Sequence, residues 1–440
     1  MSEQRRWKAR FFTIWTGQQL SVIGSRAARF ALVWWLTTTT GSATVLATAS
    51  LVAYLPQIFL GPFVGTLVDR WNRKTVMLVA DSFIALVSLW LAYMFWSGAM
   101  QPWHLYIVML AASFGDTFHW PAMAASTTLM VPEKHLTRIG GLNQSINGVL
   151  TIAAPPLGAL LMSLLPLHGV MMVDVATAAF AVLPLLFVAI PQPKTEHIEE
   201  IKQTPFWENL KTGFRFVASW RGMVMLIVLA SIVKIVLQPA FSLIPLLVHD
   251  HFGGGAADLS LLEAVAGIGI LLGGLILSAW GGFRRKICTS MMGVIGMGVG
   301  SIVMGMAPAS VFWMALGGAF LLGVMISMVD GPIHALMQST IPPQMQGRVF
   351  ALLGSLFSLT APIGLALAGP LSDMFGIRIW FLVAGGLCIV TAVWGLTVPA
   401  LIHIEDQRGA SVEPADGASS PAAGFQTVSQ SAREASGSSD

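Results

Sequence analysis

Residues 65–74 read Gly65-Thr-Leu-Val-Asp69-Arg70-Trp-Asn-Arg73-Lys74 and lie at the junction of two long apolar runs, residues 43–68 and 75–96. Each run is long enough for a helix that crosses a bilayer, which needs roughly 20 residues. The junction concentrates one carboxylate and three cations in a single turn. Because Lys and Arg in short loops stay on the cytoplasmic side of a membrane, this turn is predicted to face the cytoplasm.

The composition of the whole chain excludes a soluble protein. Apolar residues make up 55% of the 440 positions and charged residues 10%, against about 25% charged in a soluble domain. The chain has a net charge of +3 but no basic stripe with interleaved aromatic residues, so no nucleic-acid partner is expected. Cys288 and Cys388 lie inside apolar runs without metal-ligand spacing.

Outward from residues 65–74, twelve apolar runs follow one another along the chain. Lipid tolerates only helices or closed barrels, and runs of this length indicate helices. The sequence therefore predicts an all-α membrane protein with twelve transmembrane helices. Their predicted bounds are 11–36, 43–68, 75–96, 103–129, 142–165, 169–190, 222–247, 259–280, 287–306, 311–337, 348–369 and 379–401.

The basic residues of the connecting segments fall on one side of these spans, and Arg378 is the exception. This distribution predicts a multi-pass protein of the bacterial cytoplasmic (inner) membrane with both termini in the cytoplasm.

The chain also repeats itself with a lag of about 211 residues. Trp120-Pro121 corresponds to Gly331-Pro332, and Arg138 corresponds to Arg348. The predicted organisation is a six-helix bundle over residues 1–190, a cytoplasmic loop over 191–221, a second six-helix bundle over 222–402 and a disordered cytoplasmic tail over 403–440. The loop contains Phe206, Trp207, Leu210, Phe214 and Val217 at helical spacing. These residues fit either an amphipathic helix on the membrane surface or a plain linker.

The Gly65–Lys74 stretch closely resembles the signature loop of the major facilitator superfamily. In that reading Gly65 permits close helix approach, Asp69 offers a carboxylate to a neighbouring helix N-terminus, and Arg70, Arg73 and Lys74 anchor the cytoplasmic side. Asp81, one to two turns further on, is expected to complete this gating cluster. The resemblance implies two pseudo-symmetric six-helix bundles that open alternately to each side of the membrane.

Several further stretches look like the macrolide-efflux branch of that superfamily: Trp15-Thr-Gly-Gln18, Trp34-Trp35-Leu36, Thr40-Gly-Ser-Ala43, Phe118-His-Trp-Pro-Ala122 and Gly141-Leu-Asn-Gln144. The resemblance implies a secondary transporter that exports macrolide-like drugs by proton antiport, and hence antibiotic resistance. Siderophore exporters and lysophospholipid transporters are the alternatives.

Two details bear on how transport would be coupled. Ala154-Pro155-Pro156-Leu-Gly158 is similar to the antiporter motif, although Pro and Gly are also ordinary packing features. The Arg that proton-linked drug antiporters often carry early in span four is replaced by Ala111-Ala112-Ser113.

Charged residues inside the predicted spans concentrate on spans one, four, seven and ten. A charge at this depth costs at least about 2.5–3.5 kcal/mol, so each should be paired, hydrated or functional. Arg29 can balance Asp116, and Lys234 can balance Asp330. These pairs are expected either to line a central cavity or to fix helix register, and Asp116, followed by Asp330, is the candidate for proton coupling.

The predicted cavity lining is rich in rings, which favours a bulky apolar or cationic amphiphile. His119 is open to two readings, a cavity group or a hydrogen-bonded packing residue, and Asp174 and Glu263 are expected to be structural. No His-Glu-x-x-His, Gly-x-Ser-x-Gly or phosphate-binding loop occurs, so no enzymatic activity, metal or cofactor is expected. The expected partners are the substrate, protons and the lipid bilayer, around a monomer. The candidate lining residues are Arg26, Arg29, Phe30, Trp34, Phe118, His119, Trp120, Lys234, Gln238 and Phe241.

Overall fold

A computed structural model describes residues 3–191, 211, 214–215, 217–341 and 343–405. Within these ranges the chain forms helices and no strands, as predicted. The twelve long helices are α1 (Glu3–Thr40), α2 (Ala43–Arg70), α3 (Arg73–Trp96), α4 (Pro102–Met130), α5 (Glu133–Leu164), α6 (Leu167–Phe187), α7 (Arg221–Ser242), α8 (Ala256–Trp280), α9 (Lys286–Met306), α10 (Phe312–Thr340), α11 (Pro343–Phe375) and α12 (Ile377–Thr397). Most of the predicted amphipathic stretch, including Phe206, Trp207 and Leu210, lies outside the described residues, as does the tail beyond residue 405.

The helices match the twelve predicted runs but extend past many of their ends. Helix α5 begins at Glu133 rather than at residue 142, and α11 covers Pro343–Phe375 rather than 348–369. The apolar pattern fades in these polar turns, whereas backbone hydrogen bonding continues through them. Helix α7 ends earlier, at Ser242, and is followed by a short helical segment, Ile244–Leu246, and one π-helical turn, Leu247–His251.

Ten of the twelve helices in the described ranges are long and apolar enough to cross a membrane. The other two, α1 and α4, carry charged residues near their middles, among them Arg29 and Asp116. These two helices thus need a polar environment on one face.

The two halves of the bundle repeat the same packing. Helix α1 packs on α5 and α6, and α7 packs on α11 and α12 in the same way. Helix α2 packs on α4 and α3 packs on α6, just as α8 packs on α10 and α9 packs on α12. The two halves contact each other through two helix pairs, α2 with α11 and α5 with α8. This arrangement matches the predicted pair of pseudo-symmetric six-helix units.

Glycine permits equivalent helix crossings in the two halves. A Cβ at Gly158 of α5 would lie 2.9 Å from the carbonyl oxygen of Ala27 in α1, and a Cβ at Gly364 of α11 would collide with the carbonyl oxygen of Ile235 in α7. Both glycines follow an Ala-Pro pair, Ala154-Pro155 and Ala361-Pro362. In this structure the antiporter-like motif therefore has a packing role.

The bundle has two distinct ends. We call the end that carries the Trp71–Asn72, Val131–Pro132 and 281–285 turns the basic end, and the other the opposite end. Both limits of the described chain lie at the basic end: the Trp7 ring stacks on His135 with centroids 5.2 Å apart, and the carbonyl oxygen of Ile402 accepts a hydrogen bond from Arg285.

The buried core joins the halves unevenly. One continuous apolar cluster includes residues of both halves, such as Leu36 and Leu46 from the first and Leu243 and Leu247 from the second. A second cluster, which contains Phe11, belongs to the first half alone. The halves are therefore packed together toward the opposite end.

Candidate functional site

A cavity of about 1060 Å³ lies within the helical bundle. All six helices of the first half line it, whereas among the described residues the second half contributes only Ser242. Apolar wall residues such as Leu32 and Met109 alternate with polar ones. The polar and charged lining side chains are Gln18, Gln19, Ser21, Ser25, Arg26, Arg29, Ser50, Tyr54, Gln57, Asp81, Ser88, Ser113, Asp116, Thr117, His119, Thr127, Asn143, Asn147, Asp174 and Ser242.

Helical periodicity explains most of this polar surface. Gln18, Ser25 and Arg29 stand on one face of α1 because each spacing is close to a whole number of 3.6-residue turns. Asn143 and Asn147 are one turn apart on α5 and share a face in the same way. The sequence contains this signal, but reasoning from isolated charges missed it, together with Tyr54 and Gln57 of α2.

Arg29 and Asp116 form the predicted pair. The guanidinium nitrogen Nη2 of Arg29 lies 3.2 Å from Oδ2 of Asp116, and the two side chains are 55% and 56% exposed. Such exposure means that both charges remain hydrated inside the cavity, which removes most of the desolvation penalty of a charge at this depth. The neighbouring Arg26 is held by α5, since it donates to Asn147 Oδ1 at 3.1 Å and to Thr151 Oγ1 at 3.3 Å.

A second acid–base pair lies behind the first, within the wall. Asp81 of α3 accepts a hydrogen bond from Gln18 Nε2 at 2.7 Å on one carboxylate oxygen. Its other oxygen lies 3.2 Å from Nε2 of His119 on α4, and the side chains of Asp81 and His119 are only 9% and 13% exposed. The structure thus brings Asp81 and His119 together at the cavity wall.

Asp174 of α6 is a third buried carboxylate, with a different environment. It accepts hydrogen bonds from Ser25 Oγ at 2.7 Å and from Ser88 Oγ at 2.6 Å. These contacts tie α6 to α1 and α3. A structural role remains the prediction for Asp174.

The predicted pair in the second half does not form. No ion pair joins Lys234 to Asp330 among the described residues; the Lys234 ammonium lies 5.4 Å from the centre of the Phe357 ring. Neither residue lines the large cavity. The sequence shows which helices carry charged residues, but the rotation of each helix about its axis decides whether two charged side chains come into contact.

Several predicted lining residues occupy other places. Phe118 stacks on Trp71 with ring centroids 6.1 Å apart, and Trp34 meets His249 edge to face at 5.7 Å. Gln238 lies behind the wall and donates to the Tyr54 hydroxyl at 2.8 Å, while Phe241 packs against the shared apolar core. His119 and Trp120 do line the cavity.

A smaller cavity of about 280 Å³ lies beside the large one, between α1, α5 and α8. Arg26 and Arg29 contribute to both cavities. The rest of the small one is mostly apolar and includes Phe30, together with Glu263 from α8. Glu263 thus faces a cavity at the junction of the two halves.

Hydrogen bonds join the two halves at the opposite end of the bundle. Asp373, near the end of α11, accepts hydrogen bonds from Ser42 Oγ at 3.0 Å and from the backbone nitrogens of Ala43 at 2.7 Å and Thr44 at 3.0 Å. A carboxylate at a helix N-terminus satisfies orphan N–H groups and opposes the positive end of the helix dipole. The first turn of α2 is thereby capped by the other half of the protein.

The Gly65–Lys74 stretch lies at the other end, where the halves are apart, whereas Asp81, predicted to complete the gating cluster, lies in the cavity wall. A Cβ at Gly65 would meet no atom within 4 Å, so the close helix approach predicted there is absent in this conformation. Arg73 is buried, and Lys74 Nζ donates to the carbonyl oxygen of Leu186 at 3.1 Å. The side chains of Asp69 and Arg70 lie outside the described part of the structure.

Comparisons with known proteins agree with this architecture. The family model described as Major Facilitator Superfamily matches residues 14–280 and 235–432. The chain is 34% identical to macrolide efflux protein A of Streptococcus pyogenes over 393 residues, which cover 89% of this chain and 96% of the relative. It is 25% identical to the multidrug efflux pump Tap of Mycobacterium tuberculosis, covering 83% and 87% of the two chains. A crystal structure of a mutant of the nucleoside transporter NupG superposes with a TM-score of 0.69 at 14% identity, covering 86% of this chain and 98% of that one.

Proposed function

Because this chain belongs to the major facilitator superfamily, we propose that it is a secondary transporter that exports bulky amphiphilic drugs of the macrolide type by antiport with protons. Two relatives carry names that state efflux of macrolides or of several drugs. Nothing in the proposal requires a cofactor, since an ion gradient supplies the energy.

The observation that carries the proposal is the large cavity. Its volume of about 1060 Å³ is at the top of the range of about 300–1,000 Å³ for small-molecule sites. The lining combines leucine, valine and methionine side chains with a few charged groups. Such a wall binds a large amphiphile by burying its apolar surface and orients it by a few polar contacts.

The Arg29–Asp116 pair supports a role in coupling. Among the described residues that line the cavity, Asp116 is the one acidic residue that belongs to an exposed ion pair. A cationic substrate and a proton would compete for its carboxylate, so that binding of one releases the other. Asp330 is the second coupling candidate, although it lies outside the cavity in this conformation.

The unequal contact between the halves at the two ends of the bundle supports alternating access. The Asp373 hydrogen bonds join the halves at the opposite end, while the two halves make no described side-chain hydrogen bond at the basic end. We propose that the basic end faces the cytoplasm, as the basic loops predict. The protein would then load its substrate from the cytoplasm, and rocking of the halves would bring Gly65 and the following loop into contact with the second half.

The test is the accumulation of radiolabelled erythromycin in cells of an efflux-deficient host. Cells with the wild-type protein are expected to accumulate less drug than cells with an empty vector, and a protonophore should remove the difference. Asp69→Asn, which neutralises the gate carboxylate, should also remove it at equal protein abundance in the membrane. Equal accumulation in wild-type and empty-vector cells would reject macrolide export.

The small cavity favours a second candidate, a lysophospholipid transporter. A mostly apolar cavity that contains Phe30 and is lined by two guanidinium groups and one carboxyl group, that of Glu263, fits an acyl chain whose anionic head group binds the arginines. The same cells, supplied with a fluorescent lysophospholipid, distinguish the candidates. Protein-dependent movement of the lipid without any effect on erythromycin would favour this second function.

A further inference from the structure

We infer that Asp81 and His119 form a buried proton-binding site that is separate from Asp116 and is used in the transport cycle. This inference rests on the proposed function for its role and on the geometry of the pair for its existence. The carboxylate–imidazole contact of 3.2 Å brings together the two side-chain types that most often exchange protons near neutral pH.

The pair is enclosed but stands at the cavity wall. Asp81 and His119 have 9% and 13% of their side chains exposed, and both residues line the large cavity. The Nε2 atom of His119 is fully buried and makes no well-aligned hydrogen bond, although it lies at ion-pair distance from the carboxylate. A proton held between these groups is therefore shielded from bulk water, and a small movement of α3 against α4 would expose it.

When His119 is neutral, the pair carries one net negative charge, which the binding of a proton removes. Helix α1 contributes the neutral amide of Gln18, which fixes one carboxylate oxygen. On α4, Asp116 lies one turn before His119 and its charge also acts on Asp81. Helix α6 contributes Asp174, which is already bonded to two serine hydroxyls. The α2 side chains that the structure describes along the cavity, such as Tyr54 and Gln57, carry no formal charge.

The proton step is a simple transfer. A hydronium ion in the cavity gives a proton to the imidazole of His119 and becomes water, and the resulting imidazolium pairs with the Asp81 carboxylate. When the halves rock, the proton returns to water on the other side, and the pair becomes one negative charge again. No bond other than those to the proton is made or broken.

Nuclear magnetic resonance of protein labelled with ¹³C-histidine tests the site itself. The signal that disappears in His119→Gln belongs to His119. At the same pH this signal is expected to have a different chemical shift in Asp81→Asn than in the wild-type protein, because the carboxylate charge that faces the ring is gone. A His119 signal that is the same in both proteins would overturn the inference.

A matched control is available on the same helix. His104 also lies in α4, caps the helix start by accepting from the Gln101 backbone nitrogen at 3.0 Å, and does not line the large cavity. His104→Gln should leave the His119 signal unchanged. If His119→Gln does not fold, the signal that shifts in Asp81→Asn and not in Asp174→Asn identifies the pair.

A transport measurement tests its use in the cycle. Wild-type export of erythromycin from energised vesicles is expected to change with pH, whereas Asp81→Asn and His119→Gln, which keep Asp116, should show a smaller dependence on pH and at least about tenfold less gradient-driven export. Exchange of labelled for unlabelled drug without a gradient should persist. A wild-type pH profile in both variants contradicts the inference, while a wild-type protein that moves no drug contradicts only the proposed function, since the magnetic resonance measurement is independent of transport.

Discussion

Asp373 accepts a hydrogen bond of 2.7 Å from the backbone nitrogen of Ala43, although 330 positions separate the two residues in the chain. The bond joins the end of α11 to the start of α2 and thus joins the two halves. The segment Gly369-Pro-Leu-Ser-Asp373 has the same Gly-x-Leu-x-Asp order as Gly65-Thr-Leu-Val-Asp69. Since α2 and α11 run antiparallel, the two aspartates stand at opposite ends of one helix pair.

Asp373→Asn should loosen the closed end. The amide retains one acceptor but loses the charge that favours a helix N-terminus, and the loss should be about 1–2 kcal/mol, or a roughly 5- to 30-fold shift in the population open at this end. A cysteine introduced as Ser50→Cys in the cavity wall reports the change through its rate of modification by a membrane-impermeant thiol reagent added outside the cells.

The control for this experiment is another carboxylate at the same end. Asp258 accepts from the Gly255 backbone nitrogen at 2.8 Å and caps its own helix α8, so Asp258→Asn removes a similar bond without disconnecting the halves. Equal labelling rates in Asp373→Asn and Asp258→Asn would contradict a latch role for Asp373.

Asp116→Asn should weaken transport with little effect on stability. An exposed ion pair contributes about 0–1 kcal/mol to folding, so the thermal midpoint of the purified protein should hardly change. The unpaired Arg29 would repel a cationic drug, and export of erythromycin should fall by about tenfold, equivalent to roughly 1.4 kcal/mol. Initial efflux rates measure the effect. Loss in Asp330→Asn with none in Asp116→Asn would move the coupling site to the second half.

Gly158→Ala should destabilise the first half. The added Cβ would lie 2.8 Å from the Phe30 ring and 2.9 Å from the Ala27 carbonyl oxygen, which forces α1 and α5 apart at a cost of about 1–3 kcal/mol. Gly141→Ala on the same helix meets no atom within 4 Å and should stabilise α5 by roughly 0.5–1 kcal/mol, as alanine does in a helix. Thermal unfolding in detergent compares the two, and a lower midpoint for Gly141→Ala than for Gly158→Ala would refute the packing argument.

Ser88→Ala should also lower stability. It removes one of the two hydroxyls that hold the buried Asp174 carboxylate, and an unsatisfied buried acceptor costs about 1–3 kcal/mol. Ser163→Ala is the matched control, because Ser163 is exposed and bonds only to the Leu160 carbonyl of its own helix. The same unfolding assay should show a loss for Ser88→Ala alone.

The sequence by itself determined the helical class, the number of long helices and the duplication. Length, apolar content and the position of basic loops are local or additive properties, and lipid leaves helices as the only open-chain solution. It also identified Arg29 with Asp116, because two opposite charges on polar helices of one half have few other partners. It identified the Gly65–Lys74 loop through its spacing.

Only the tertiary structure decided how helices rotate about their axes and how the halves approach each other. Rotation turned Asp81 toward His119, kept Lys234 from pairing with Asp330 and placed Phe118 against Trp71. The approach of the halves put Asp373 on the first turn of α2 and joined the halves at that end of the bundle. Side-chain contacts between residues hundreds of positions apart depend on the packing of whole helices, and no local pattern in the chain encodes them.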